Sequence, residues 1–453
     1  MPEIVTIATS ELGNRSYVVT DGSSAVVIDP PRDIDRVTEV LEERRLLLTH
    51  VLESHVHNDY VTGGLELSRR TGADYVLAAT EDVAFDRLPI RDGEEMASGR
   101  MRFRALHTPG HTPEHLSYVL FDDTQPVAVF TGGSLLYGTV GRTDLVDERL
   151  TERLTRAQFH SVRRLAAQLP ADVAVYPTHG FGSFCASTTS TEADASTIGD
   201  ERRGNIGLTT ENEDAFVAEV TGGLGAYPRY YAHMGTINRA GPPRLDLSPP
   251  QELPPDEIRQ RIDAGEWVVD VRDRTAFAER HLAGTVNVEL ADQLATYVGW
   301  TMPWGVPITL AGDSADQVAR AQRMLVRIGI DRPAGQATGG PAQFTATGDI
   351  RTYEVGDFPA LAKALDNGGA QVLDVRRDEE YNDGHIRGAQ HIPLPDVESR
   401  LREIPDDVTS WVHCASGYRA AIAASLLDRA GKPVVLVNDD WDVAADAGLA
   451  ITS

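Results

Sequence analysis

The chain has 453 residues, 42 basic against 68 acidic for a formal net charge of −26, and only two cysteines, Cys185 and Cys414. Acidic charge spread along the chain argues against nucleic acid or an anionic membrane as partner; two cysteines imply no disulfide framework, and no apolar run approaches the roughly 18 residues of a membrane span. With no charged-then-apolar N-terminal signal, a reducing cytoplasm is expected, and the length predicts roughly two to four domains.

In the N-terminal half, strand-like runs at residues 16–19, 25–28 and 46–52 lead into Ser54-His55-Val56-His57-Asn58-Asp59-Tyr60. Further on come His107-Thr108-Pro109-Gly110-His111-Thr112, Phe130-Thr131-Gly132-Gly133, Gly141-Arg142-Thr143-Asp144 and Tyr176-Pro177-Thr178-His179-Gly180. A His-x-His pair at a strand end places two imidazoles on one side, and a later histidine on another loop can complete a three-ligand metal site with open positions. His107 and His115, flanking the Gly-His-Thr turn, read as supporting or surface groups, and Cys185 as a buried thiol rather than a group facing the metal pocket. Residues 197–244, rich in glycine, proline and charge, predict a helix followed by an extended linker.

Two copies of one domain follow. Trp267-Val268-Val269-Asp270-Val271-Arg272 and His281-x-x-Gly284 recur as Val372-Leu373-Asp374-Val375-Arg376 and His385-x-x-Gly388, at an offset of 104 residues. Each copy begins with a helical pattern (255–264 and 358–365), enters a buried strand and then alternates helix and strand, as a parallel α/β sheet does.

In the second copy Cys414 stands between an apolar strand-like run and a helix-like run, in His413-Cys414-Ala415-Ser416-Gly417-Tyr418-Arg419. A cysteine at a helix N-terminus, inside a loop of free backbone N–H groups closed by an arginine, is a stabilised thiolate and a nucleophile. Adjacent His413 either raises the thiolate fraction or points away. The same offset sets Leu310 opposite Cys414, and the segment 309–315 has neither a thiol nor an arginine at the matching place, so the first copy is expected to be a packing or docking domain.

The Cys-x4-Arg loop is one residue shorter than a phosphate cradle and resembles the active-site loop of rhodaneses. That resemblance implies Cys414 as sulfur carrier and Arg419 as anion-binding residue, with the Asp-x-Arg and His-x-x-Gly marks architectural. The histidine series resembles the metallo-β-lactamase fold, more closely the persulfide dioxygenases fused to rhodaneses, and the likeness spans the whole chain. It implies an α/β protein: an αββα sandwich over 1–240, an inactive rhodanese-like domain over 250–346 and an active one over 354–453, both with parallel sheets.

The resemblance further implies one Fe(II), with zinc or no metal as alternatives, held by His55 and His111. The family's third ligand, a carboxylate, is here Gly133. Three repairs stand open: His57 joins the pair, Asp59 or His179 swings in, or no metal binds and the domain is a scaffold carrying one working sulfurtransferase. Tyr60 replaces the histidine of a second metal, so binuclear hydrolysis is not expected. By the same likeness Gly141-Arg142-Thr143-Asp144 orders the pocket, and Gly133→Asp would favour iron. The partners implied are a low-molecular-weight thiol persulfide, O2, and sulfite or thiosulfate; no nucleic acid or membrane enters, and a homo-oligomer is allowed.

Overall fold

The computed structural model describes residues 2–187, 193–345 and 348–452, so the expected domain boundary at 346 lies outside the described residues. The chain divides into two compact units, one of residues 1–246 with 326–329, the other of the rest.

The first unit is a sandwich of two six-stranded sheets. One sheet runs in the order Glu3–Thr9, Asn14–Thr20, Ser24–Ile28, Leu47–Leu52, Asp74–Ala78, Leu88–Ile90. The other runs Ser196–Thr197, Ala174–Pro177, Gln125–Gly132, Leu116–Asp122, Met101–His107, Glu95–Ser98. Tyr17, Val18 and Val19, like Val26, Val27 and Ile28, are all buried, because both faces of their sheet are covered and alternation gives way to continuous apolar runs. Tyr17, Ile28, Leu52, Phe103, Tyr118 and Phe130 fill the space between the sheets. Outside the first sheet, Val37, Leu41 and Leu65 from the helices Asp35–Glu43 and Gly64–Thr71 cover Val18, Val27 and Val51. Outside the second, Phe159, Val162 and Leu165 of the helix Thr151–Gln168 recur on one face and pack on Val129 and Val175.

The expected linker is not one. Residues 198–240 carry four helices, Ile198–Gly204, Ile206–Thr209, Glu213–Gly222 and Tyr231–Ala240. Phe216 and Val220, one helical turn apart, are fully buried against Phe159 and Val162, and on the last helix Tyr231 and Met234 are buried as well. Composition hid this because the apolar residues are few and helically spaced among charges and glycines.

The second unit holds both repeats. In the first, Val286–Asn287, Trp267–Asp270, Ile308–Gly312 and Gly335–Thr338 form a parallel sheet. In the second the order is Glu354–Gly356, Val434–Val437, Thr409–His413, Ala370–Asp374, Gln390–His391, again all parallel. Strand register corrects the offset at the loop. Asp270 pairs with Ala311 and Asp374 with His413, which stand 102 residues apart, so Gly312 rather than Leu310 occupies the place of Cys414. The connection ahead of the loop is two residues shorter in the second copy, which a fixed offset cannot follow. Five residues past Gly312, where Arg419 would fall, stands Gln317, whose side chain accepts from Asp313 N and donates to Val271 O.

Among the described residues no helix is long and apolar enough to cross a membrane.

Candidate functional site

Loops at one end of the sandwich converge on a cluster of buried histidines. His55 and His57 lie on the loop after Leu47–Leu52, His111 between Met101–His107 and Leu116–Asp122, and His179 just after Ala174–Pro177. His55, His111 and His179 each offer a ring nitrogen, and the three nitrogens lie within 4.8 Å of one another.

Hydrogen bonding fixes which nitrogen of each ring is bare. His111 Nδ1 lies 2.7 Å from the carbonyl oxygen of Arg142, which can only accept, so Nδ1 carries the proton. Asn14 donates through Nδ2 to Asp59 Oδ2 at 2.8 Å, leaving its oxygen to accept from His179 Nδ1 at 3.0 Å, with Asp59 Oδ2 also 3.2 Å from that nitrogen. Ser54 Oγ donates to Asp29 Oδ2 at 2.7 Å and so accepts from His55 Nδ1 at 2.8 Å. Each ring is left with a bare Nε2. The Nε2 atoms of His55 and His179 are 3.3 Å apart, and His111 Nε2 has no hydrogen-bond partner. Burial, aided by the neighbouring rings, pushes the basicity of His55 well below its ordinary value and that of His111 down to about 3, so both rings are neutral. Three converging lone pairs with no donor among them form a receptor for a cation, and the residues therefore fit a metal ion.

His57 is drawn elsewhere. Its Nε2 lies 3.1 Å from Glu53 Oε2 and 3.4 Å from Asp29 Oδ1, all three groups fully buried. Burial alone would make it less basic, but the two carboxylates outweigh that and raise its pKa to about 10. It can be grouped with Asp59 and His179, or with Asp29 and Glu53, as further sets of potential ligands; its charge-paired state sets it apart from the three bare rings. Asp59 lies beside the cluster as the carboxylate that orients His179. Tyr60 spends its hydroxyl on the carbonyl oxygen of Asp29 at 3.2 Å.

At Gly133 the His111 ring lies so close that an added Cβ would overlap its Cδ2. The backbone N–H of Gly133 donates to His115 Nε2 at 3.0 Å, and His115 Nδ1 in turn meets Thr108 Oγ1 at 2.9 Å. His115 is thus fully occupied and buried, not at the surface, whereas His107 bonds the Pro113 carbonyl away from the cluster. Arg142 grips Asp144 with two bonds of 2.7 Å and lies over the Tyr227 ring at 4.5 Å, while its carbonyl holds His111. Cys185 is buried, and burial raises its thiol pKa well above the ordinary value.

The second centre is the loop 414–417 between the strand Thr409–His413 and the helix Tyr418–Arg429, with Arg419 in the helix's first turn. The N–H of Ala420 points at Cys414 Sγ, 3.4 Å away. Gly417 holds a left-handed φ of +84°, and a Cβ there would strike the Asn438 side chain, so the loop needs glycine at this place. Arg419 binds both oxygens of Glu380, at 2.5 and 2.7 Å. His413 points away: its ring stacks on Trp441 at 5.3 Å and 3.5 Å from Asp374, and burial drops its pKa to about 4. Asp270–Arg272 and Asp374–Arg376 make the same clamps in both copies, with charged bonds of 2.6 Å.

Sequence reasoning missed Asn14, Asp29, Ser54, Glu53 and Gln158, whose oxygen accepts from His111 N at 2.8 Å. Asp29, a lone carboxylate at the end of an apolar run, was the one such residue with a readable signal.

Residues 10–179 match the metallo-beta-lactamase superfamily model, and residues 254–346 and 358–445 match the rhodanese-like domain model. Over 246 residues the chain is 29% identical to the mitochondrial persulfide dioxygenase ETHE1 of Homo sapiens, covering 52% of this chain and 82% of that protein. Over 181 residues it is 31% identical to the probable polyketide biosynthesis zinc-dependent hydrolase BaeB of Bacillus velezensis, covering 37% and 74% respectively. A crystal structure of a metallo-beta-lactamase from Staphylococcus aureus subsp. aureus COL superposes with a TM-score of 0.67 at 25% identity, covering 75% of this chain and 99% of that one.

Proposed function

The chain belongs to the metallo-beta-lactamase superfamily through residues 10–179 and carries two rhodanese-like domains, and from this premise we propose that it oxidises a low-molecular-weight thiol persulfide to sulfite at one iron ion and moves sulfane sulfur through Cys414. The observation that carries the metal half is the trio of bare Nε2 atoms on His55, His111 and His179. The persulfide dioxygenase relative supports the substrate class. Two buried, unpaired cysteines fit a reducing cytoplasm.

When bound, the ion supplies a Lewis acid that gathers persulfide sulfur and O2 at one point. The chain's own residues prepare that point: Arg142 O, Ser54 Oγ and the Asn14–Asp59 pair fix the three rings, as second-shell partners do. Gly133 and Tyr60 withhold the bridging carboxylate and the extra histidine of a two-metal site, which favours mononuclear chemistry over the hydrolysis of the zinc-dependent relative. The all-nitrogen set is nevertheless one that zinc accepts. That observation favours a second reading, a one-zinc hydrolase.

In the other half Cys414 takes a sulfane sulfur and passes it to sulfite as thiosulfate, or runs that transfer in reverse. One chain holding both centres raises the effective concentration of the shared sulfur species. The test is elemental analysis of anaerobically purified protein, with O2 uptake and sulfite release on thiol persulfides. About one iron per chain and O2-dependent sulfite are expected. Zinc with thioester hydrolysis and no O2 uptake would replace this reading with the second. Cys414→Ser should abolish thiosulfate sulfurtransfer and leave O2 uptake standing.

A further inference from the structure

The copy without a thiol reaches the loop of the copy that has one. Both copies lie in one compact unit and are pinned together beside the loop. Arg274 of the first copy donates to Asn438 Oδ1 at 2.7 Å and to Glu289 at 2.5 Å, with Nη2 3.5 Å from the Ser416 carbonyl; Tyr418 OH donates to the Glu289 carbonyl at 2.8 Å.

Within that contact the helix Leu294–Thr301 of the first copy buries every residue but Tyr297. The Tyr297 ring stands 5.6 Å from that of Tyr418, the residue before Arg419. Its side chain is only partly buried, and among the described residues no side chain holds its hydroxyl. The charged groups acting on it are those of the neighbouring loop: Arg419 first, then Cys414, Arg377 and Glu380; burial keeps it a neutral donor. Arg419 meanwhile has two of its N–H groups on Glu380, which partly cancels its charge. A sulfur oxyanion at Cys414 therefore meets a half-neutralised arginine, and the Tyr297 ring packs on Tyr418, the residue next to that arginine.

We propose that Tyr297 is a specificity-determining residue of the Cys414 site, its hydroxyl donating to an oxygen of the sulfur oxyanion that delivers sulfur to, or takes it from, the thiol. The inference rests on the sulfurtransferase reading of the loop. In the delivery direction the Cys414 thiolate attacks the outer sulfur of thiosulfate; the thiosulfate S–S bond breaks and sulfite leaves with the bonding pair. Cys414 then holds a persulfide, and no outside oxidant or reductant enters. Tyr297 contributes only to holding the sulfonate oxygens, which are present on both donor and product.

The test is Tyr297→Phe in the full chain, which keeps the ring and removes one donor. KM for thiosulfate should rise about ten-fold with kcat changed less than about two-fold, the effect of one lost hydrogen bond. Discharge of preformed Cys414 persulfide to dithiothreitol, a neutral acceptor, should change far less than discharge to sulfite. Calorimetry with thiosulfate on Cys414→Ser protein, with and without Tyr297→Phe, needs no turnover and should show the same roughly ten-fold weakening. An unchanged KM and Kd, an equal loss toward dithiothreitol, or no thiosulfate binding to the Cys414→Ser chain overturns the proposal. Binding that depends on Tyr297 in a chain without transfer activity would uphold it while overturning the sulfurtransferase reading.

Discussion

At the residue scale, the bare nitrogens separate the proposed ligands from the residues that support them. His179→Ala should lower bound metal at least about ten-fold by elemental analysis, since it removes one of three donors. His57→Ala should instead destabilise, by about 3–5 kcal/mol in denaturant unfolding, because it strands Asp29 and Glu53 as buried carboxylates without their cation. Equal metal loss in the two variants would contradict the division. Gly133→Asp reverses the sequence-based expectation: the His111 ring already occupies the space of the new side chain, so the variant should lose metal and about 1–3 kcal/mol of stability, as overpacked sites do. A gain in iron occupancy would show that the ring yields. His55, His111 and Cys414 were legible because each sits in a short contiguous motif. Asn14 was not, being 45 residues from Asp59 and 165 from His179, and nothing local marks an asparagine at a strand start as the residue that sets a distant tautomer.

At the element scale, the Cys414 loop is tied to the short helix Asp378–Asp383 by Arg419 and Glu380. Burial alone would raise the Glu380 pKa, but Arg419 wins and lowers it from 4.5 to about 2. A carboxylate with a lowered folded pKa stabilises above its unfolded pKa and loses that contribution as pH falls toward the folded one. Glu380→Gln should therefore cost about 2 kcal/mol at neutral pH, with the gap to wild type closing between about pH 4.5 and pH 2. A gap independent of pH over that range would exclude the ion pair as its source. The repeated helices and strands were readable from the doubled Asp-x-Arg and His-x-x-Gly marks, whose clamps are the same in both copies. The helices that stand where a linker was expected, within 198–240, escaped because tertiary burial of a few residues such as Phe216 and Val220, rather than composition, makes them fold. The loop register escaped because a two-residue length change is invisible until strands are paired.

At the scale of the whole molecule, the two chemistries lie in separate compact units, and the order of sandwich then repeats was legible because each part has its own motif and period. Among the described residues, the groupings that could hold a metal all fall in the first unit. Three lone pairs held face to face are mutually repulsive, so without a cation the folded sandwich carries a cost that its unfolded chain escapes. Mass action turns that into thermal behaviour: free metal at one hundred times its Kd adds about 2.7 kcal/mol to whatever fold binds it and nothing to one that does not. Scanning calorimetry should resolve two transitions, with a chelator lowering the Tm of the one that belongs to the sandwich. A chelator that leaves both transitions where they were would mean that the receptor is not filled. A metal on the histidine trio would thus also act as a clasp on one unit, and its supply would set the temperature that unit withstands.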